Sequence, residues 1–246
     1  MRDLLCRPSL IAAGLLLLSA VESHADSIAF AGFEGSDTWT GEAISGSAGV
    51  VTTDVGSADF PPLQRVLEGT HSFQTNLGTG FADFAPVDIS GFDGVQLTLH
   101  VSSTSASSGN GSDAADNVQL FVALNGAAFS TTPDITISGN SNARWGFNAS
   151  LFATTAAGTP FSHAAPQSGT SANNYGTFLV TIPDSAVSID IRIATFNDNI
   201  GEFWNVDSVS LSGTAVPEPS AFAAMAGGLG ILVGFRRLRR SPRRPG

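Results

Sequence analysis

Strict alternation of apolar and polar residues constrains this chain more than any other feature. Val95, Leu97, Leu99 and Val101 alternate with Gln96, Thr98 and His100. Val118, Leu120, Val122 and Leu124 alternate with Gln119, Phe121 and Ala123, and Ile189, Ile191 and Ile193 with Asp190 and Arg192. Residues two apart share one face of an extended strand, whereas a helix would scatter them around its axis. Ile135–Ile137, Phe178–Ile182 and Val206–Leu211 read as further strands. Gly91-Phe92-Asp93-Gly94, Asn125-Gly126, Pro133-Asp134 and Pro183-Asp184 mark turns between them. Between the two termini no stretch sustains a 3.6-residue period. Many antiparallel strands, each with one apolar face, predict an all-β fold built as a two-sheet antiparallel β-sandwich.

The termini have a different character. Arg2 and Arg7 precede an apolar run from Leu10 to Val21, and Ser23-His24-Ala25 ends in small residues. This is the form of a secretory signal, so residues 1–25 are expected to be a signal helix cut by signal peptidase. A membrane anchor is the alternative, but the run is short for a bilayer. Cys6, the one cysteine of the chain, lies inside the segment that cleavage removes, so no disulfide is expected.

At the other end, Val216-Pro217-Glu218-Pro219 is followed by an apolar stretch, 220–235, and then by Arg236, Arg237, Arg239 and Arg240. Apolar residues followed by arginines form a stop-transfer pattern. The stretch would be roughly 24 Å long as a transmembrane helix, against roughly 30 Å of hydrocarbon. Pro-Glu-Pro, a short membrane segment and an arginine cluster, in that order, resemble the PEP-CTERM sorting signal of Gram-negative bacteria. The resemblance implies an exosortase as partner, transient anchoring in the inner membrane, and release to the cell surface or an extracellular matrix rich in exopolysaccharide. Residues 216–246 are therefore assigned to sorting: motif 216–219, helix 220–235 and arginine-rich tail 236–246. Residues 26–215 remain as the β-sandwich domain.

That domain holds 18 acidic and three basic residues, Arg65, Arg144 and Arg192, and the chain contains no lysine. A nucleic-acid partner needs a basic face and is excluded on this balance. Two segments interrupt the strand rhythm, the Ser/Gly-rich 102–113 and the long polar 138–174. The second carries Trp145, Phe147, Phe152 and Phe161. Its aromatic residues argue that it is partly packed.

Two carboxylates fall on strand positions that face inward. Glu34 shares parity with Ile28 and Phe30, and Asp207 with Val209 and Leu211. A buried carboxylate costs several kcal/mol unless it is paired. A hard cation such as Ca²⁺, which takes carboxylate oxygens, would pair both. A bulge that turns either residue outward, or hydrogen bonding to backbone amides, would satisfy them equally. Phe33-Glu34-Gly35-Ser36-Asp37-Thr38-Trp39 and Glu202–Leu211 resemble the first and last strands of jelly-roll extracellular modules, among them carbohydrate-binding and MAM-like domains. The resemblance implies a jelly-roll-like body with a structural calcium on Glu34 and Asp207. Asp113, Asp116 and Asn117 offer a second acidic loop, either a calcium site or simply solvated.

No Gly-x-Ser-x-Gly elbow, phosphate loop or paired-histidine zinc motif is present. His71, His100 and His163 are scattered, and His100 falls on the polar side of its strand. A non-enzymatic module is expected, with a secreted glycan hydrolase or a purely structural matrix protein as alternatives. Polysaccharide binding would need aromatic platforms beside polar groups. Trp39, Trp204 and Tyr175 read as core. Trp145, beside Arg144 and Asn148, is the candidate glycan contact.

Overall fold

The computed structural model describes residues 25–35, 37–39, 43–51, 66–105, 112–138, 152–155, 162–163 and 175–216. They form strands β1 (Asp26–Ala31), β2 (Ala43–Val51), β3 (Ser72–Asp88), β4 (Phe92–Ser105), β5 (Asn117–Leu124) and β6 (Ile135–Ser138). The series continues with β7 (Phe152–Thr155), β8 (Ser162–His163), β9 (Gly176–Thr181), β10 (Ser188–Asn197) and β11 (Glu202–Ala215). There is no helix among the described residues, so the described fold is all-β. The signal segment, the apolar stretch 220–235 and the arginine tail lie outside them.

Every pairing is antiparallel, and hydrogen bonds join all eleven strands. The main path runs β7-β6-β5-β10-β3-β11-β4-β9-β8, with β1 added to β11 and β2 to β3. The sandwich expected from alternation thus takes the form of one continuous, curled sheet rather than two separate ones. The joint is β3. Its Phe73–Thr75 pair with Val206–Trp204 of β11, while its Gly78–Asp88 pair with β10. At the changeover Gly78 has φ 77°, and on the neighbouring strand Gly46 has φ 81° beside a register shift. A side chain at Gly46 would run into the Thr79 carbonyl. Glycine is the residue that lets two adjacent strands turn this corner together.

The curl brings the apolar faces together. Val95, Leu97, Leu99 and Val101 of β4 share one buried cluster with Val118, Leu120 and Val122 of β5 and Ile189, Ile191 and Ile193 of β10. Phe73, Phe84, Trp39 and Phe33 close one side of it, with the Trp39 and Phe84 rings 4.8 Å apart. Burial of such side chains contributes about 1.5–3 kcal/mol each.

Parity fails at two places, each for a local reason. In β1, Ala29 and Ala31 are the buried residues and Ile28 and Phe30 are half-buried, with a register shift between Ser27 and Ala29. In β11, a register shift between Asp207 and Ser210, with Ser208 at φ 49°, inserts a bulge. Trp204, Val206, Val209 and Leu211 all reach the core cluster, and Asp207 turns to the other face. Within the polar segment 138–174, two short strands, β7 and β8, extend the outer edges of the sheet.

Candidate functional site

Glu34 and Asp207, the carboxylates expected to face inward, instead meet the same turn, Leu67–His71. Glu34 follows β1 in a bend where Phe33 (φ 62°) and Gly35 (φ 75°) leave the strand conformation. Its Oε1 accepts from the Thr70 and His71 amides at 2.6 and 2.7 Å. Its Oε2 accepts from the Thr70 hydroxyl at 2.9 Å and lies 3.0 Å from His71 Nδ1. These contacts, the Thr70 amide foremost, hold Glu34 down at about 2. A Cβ on Gly69 (φ 74°) would overlap the Glu34 carboxylate, so the clasp requires glycine there.

Asp207, fully buried, takes the other half of the turn. Its Oδ2 accepts from the Leu67 and Glu68 amides at 2.7 and 3.1 Å, and its Oδ1 from the Ser208 amide at 2.6 Å. Burial, with the Glu68 charge adding, pushes it up to about 6 despite three amide donors. Backbone amides therefore face the oxygens of both residues proposed for calcium. Neither belongs to the group of carboxylates that converges among the described residues, which is Asp116, Asp198 and Glu202. His100, expected on an exposed face, is half-buried, with Nδ1 3.3 Å from the Ser208 carbonyl, and burial lowers its pKa.

Trp39, Trp204 and Tyr175 are buried. The indole N–H groups of Trp39 and Trp204 donate to the carbonyls of Ala85 and Phe196. Trp145 lies outside the described residues, as do Pro217, Glu218, Pro219 and Arg236–Arg240. Val216 is described, and its amide donates to the Gly91 carbonyl at 2.8 Å.

A feature not anticipated from sequence lies on the solvent side of β3, β10 and β5. Asp83, Arg192 and Phe121 stand opposite one another across the three strands and so share that face. Arg192 is held by Asp83 through two bonds, Nε to Oδ1 at 2.5 Å and Nη2 to Oδ2 at 3.1 Å. Its guanidinium carbon lies 5.0 Å from the Phe129 ring centre and 5.6 Å from that of Phe81. Cation–π attraction and the bidentate pair fix an otherwise flexible side chain. Roughly a third of the Arg192 and Asp83 side chains stays exposed, 37% and 33%. The one sequence signal was an arginine set between Ile191 and Ile193.

No family model matches the chain, and no curated protein matches its sequence. Among solved structures, the chain is similar to TmCBM61 in complex with β-1,4-galactotriose, at 10% identity and TM-score 0.38, over 70% of this chain and 88% of that one. It is similar to a cyclase from Fischerella sp. TAU at 14% identity and TM-score 0.35, over 70% and 76% of the two chains. The family 11 carbohydrate-binding module of a cellulosomal cellulase of Clostridium thermocellum follows at 12% identity and TM-score 0.31, over 80% and 98%. Each is a partial likeness and says nothing of what this chain binds.

Proposed function

We propose that this chain is an exported, non-catalytic domain that binds polysaccharide at the cell surface or in the extracellular matrix. The observation that carries the reading is the face built from Phe81, Phe129, Arg192 and Asp83. Half-exposed aromatic rings offer flat apolar area to the C–H faces of sugar rings, and the fixed charged fork offers hydrogen bonds to hydroxyls. The acidic surface disfavours a polyanionic glycan and leaves a neutral one as ligand. The address is proposed from the tail: Pro217-Glu218-Pro219, the apolar 220–235 and Arg236–Arg240 would engage an exosortase after signal peptidase has acted.

The test is co-sedimentation of the purified protein with exopolysaccharide from the host bacterium, with released sugar assayed in the same tubes. Pelleting is expected, with no product. Phe129→Ala should weaken it about threefold to tenfold, the range of one aromatic contact. Absence of pelleting would refute glycan binding and leave a structural matrix protein. Released sugar would make the protein a hydrolase and overturn the non-catalytic reading.

A further inference from the structure

Away from the Arg192 face, the β10–β11 turn approaches the loop that leads into β5. Asp198 comes from the turn, Glu202 from the first position of β11 and Asp116 from the loop, and one carboxylate oxygen of each lies within 4.8 Å of the others. An acidic cluster alone is no site, since exposed carboxylates gather freely in water. Here Asp116 is fully buried and Glu202 is 3% exposed. Glu202 Oε2 is inaccessible to solvent and accepts no hydrogen bond. Leaving a buried carboxylate oxygen without a donor costs several kcal/mol, so its position calls for a partner.

The backbone shapes the cluster rather than neutralising it. Asp116 Oδ1 accepts from the Asp198 amide at 2.9 Å and Oδ2 from the Asp113 amide at 2.7 Å, so the carboxylate is oriented from both sides. Asn199 anchors the turn, its side chain accepting from the Gly201 amide and its carbonyl from the Glu202 amide. Arg192, the one arginine among the described residues, is committed to Asp83. Without a cation, burial, then a hydrogen bond from protonated Glu202 to Asp116, then the charges of Asp116, Asp113 and Asp198 push Glu202 up to about 7, so a proton takes the place a cation would fill.

We infer that Asp116, Asp198 and Glu202 form a binding site for a hard divalent cation of the calcium kind, joining the β10–β11 turn to the loop before β5. Carboxylates from the turn, the loop and the start of β11, with Asp198 exposed to solvent, match the flexible all-oxygen coordination of Ca²⁺. This site is separate from Glu34 and Asp207 and does not depend on glycan binding.

The test is calorimetric titration of the chelator-treated full-length protein with calcium chloride, with thermal unfolding followed with and without the ion. One saturable site and a calcium-dependent rise in melting temperature are expected. Glu202→Gln should weaken binding at least about tenfold, because affinity follows the number of charged ligands. Asp198→Asn, at an exposed position that the fold does not need, should do the same. Glu34→Gln should leave the site intact. No binding, or binding that survives both Glu202→Gln and Asp198→Asn, would overturn the assignment. Loss in Glu34→Gln alone would place the ion elsewhere and overturn it as well.

Discussion

Replacing Asp207 with asparagine tests whether burial or amide donation dominates at the Leu67–His71 turn. Asparagine keeps the shape but has one accepting oxygen for three amides that now reach two oxygens. At least one donor is left facing an NH₂ group, a cost of about 1–3 kcal/mol. The dependence on pH is more telling. In the folded protein burial pushes Asp207 up to about 6 from its ordinary 3.8. The folded state therefore holds this proton more tightly than the unfolded chain does. Stability from this group is full below the unfolded value and is lost as pH rises through 6. The total is about 3 kcal/mol at 1.36 kcal/mol per unit. About 2 kcal/mol of it falls between roughly pH 4.5 and 7.5. The Asp207→Asn chain has no proton to lose there, so its deficit relative to wild type should shrink by about 2 kcal/mol across that range. Urea unfolding of both proteins at the two pH values measures the difference directly. A deficit that stays constant, or grows with pH, would mean that the three amides outweigh burial, and would refute the reasoning.

Glu34 should behave in the opposite sense. Its hydrogen bonds hold it at about 2, below its ordinary 4.5, so its stabilisation is present above pH 4.5 and is lost on further acidification. Acid unfolding of Glu34→Gln should accordingly show a gap from wild type that closes as the pH falls below 4.5. Gly69→Ala should destabilise the protein by at least about 1 kcal/mol, through its positive φ and the overlap with Glu34, measured by thermal melting. Thr75 and Thr195 are buried with their hydroxyls 2.5 Å apart. Either one changed to valine should cost about 1–3 kcal/mol, while the double change should be close to neutral in a denaturant-based cycle.

The strands that were legible are those whose two sides face different media. β4, β5 and β10 alternate because one face meets the core and the other meets solvent, and their apolar residues are large aliphatics. β3, the longest strand at 17 residues, showed no such signal. It changes partners midway at Gly78, and its core contribution is sparse: Phe73, Ala82 and Phe84 among polar residues. Glu34 and Asp207 were recognisable as carboxylates needing partners. Which partners they have was not, because the two bulges reset parity and the amides they bind lie far away in sequence. Asp116 was marked by its acidic loop, but Asp198 and Glu202 join it only through the fold. Neither Phe81 nor Phe129 signals from its neighbours that Arg192 will lie between them.

β11 is the last of the eleven described strands in chain order, yet it sits in the interior of the sheet, bonded to β1, β3 and β4. A nascent chain that lacks residues 202–215 is without the strand that β1 pairs with and, among the described strands, without the bridge between β3 and β4. The apolar faces of β4 and β10 then have no closed interior to enter. Productive folding must wait until nearly all of the domain is available, because the decisive contacts span almost its whole length. If the chain crosses a membrane unfolded, as proposed above, it gains from this arrangement, since chain order itself delays collapse into the native form.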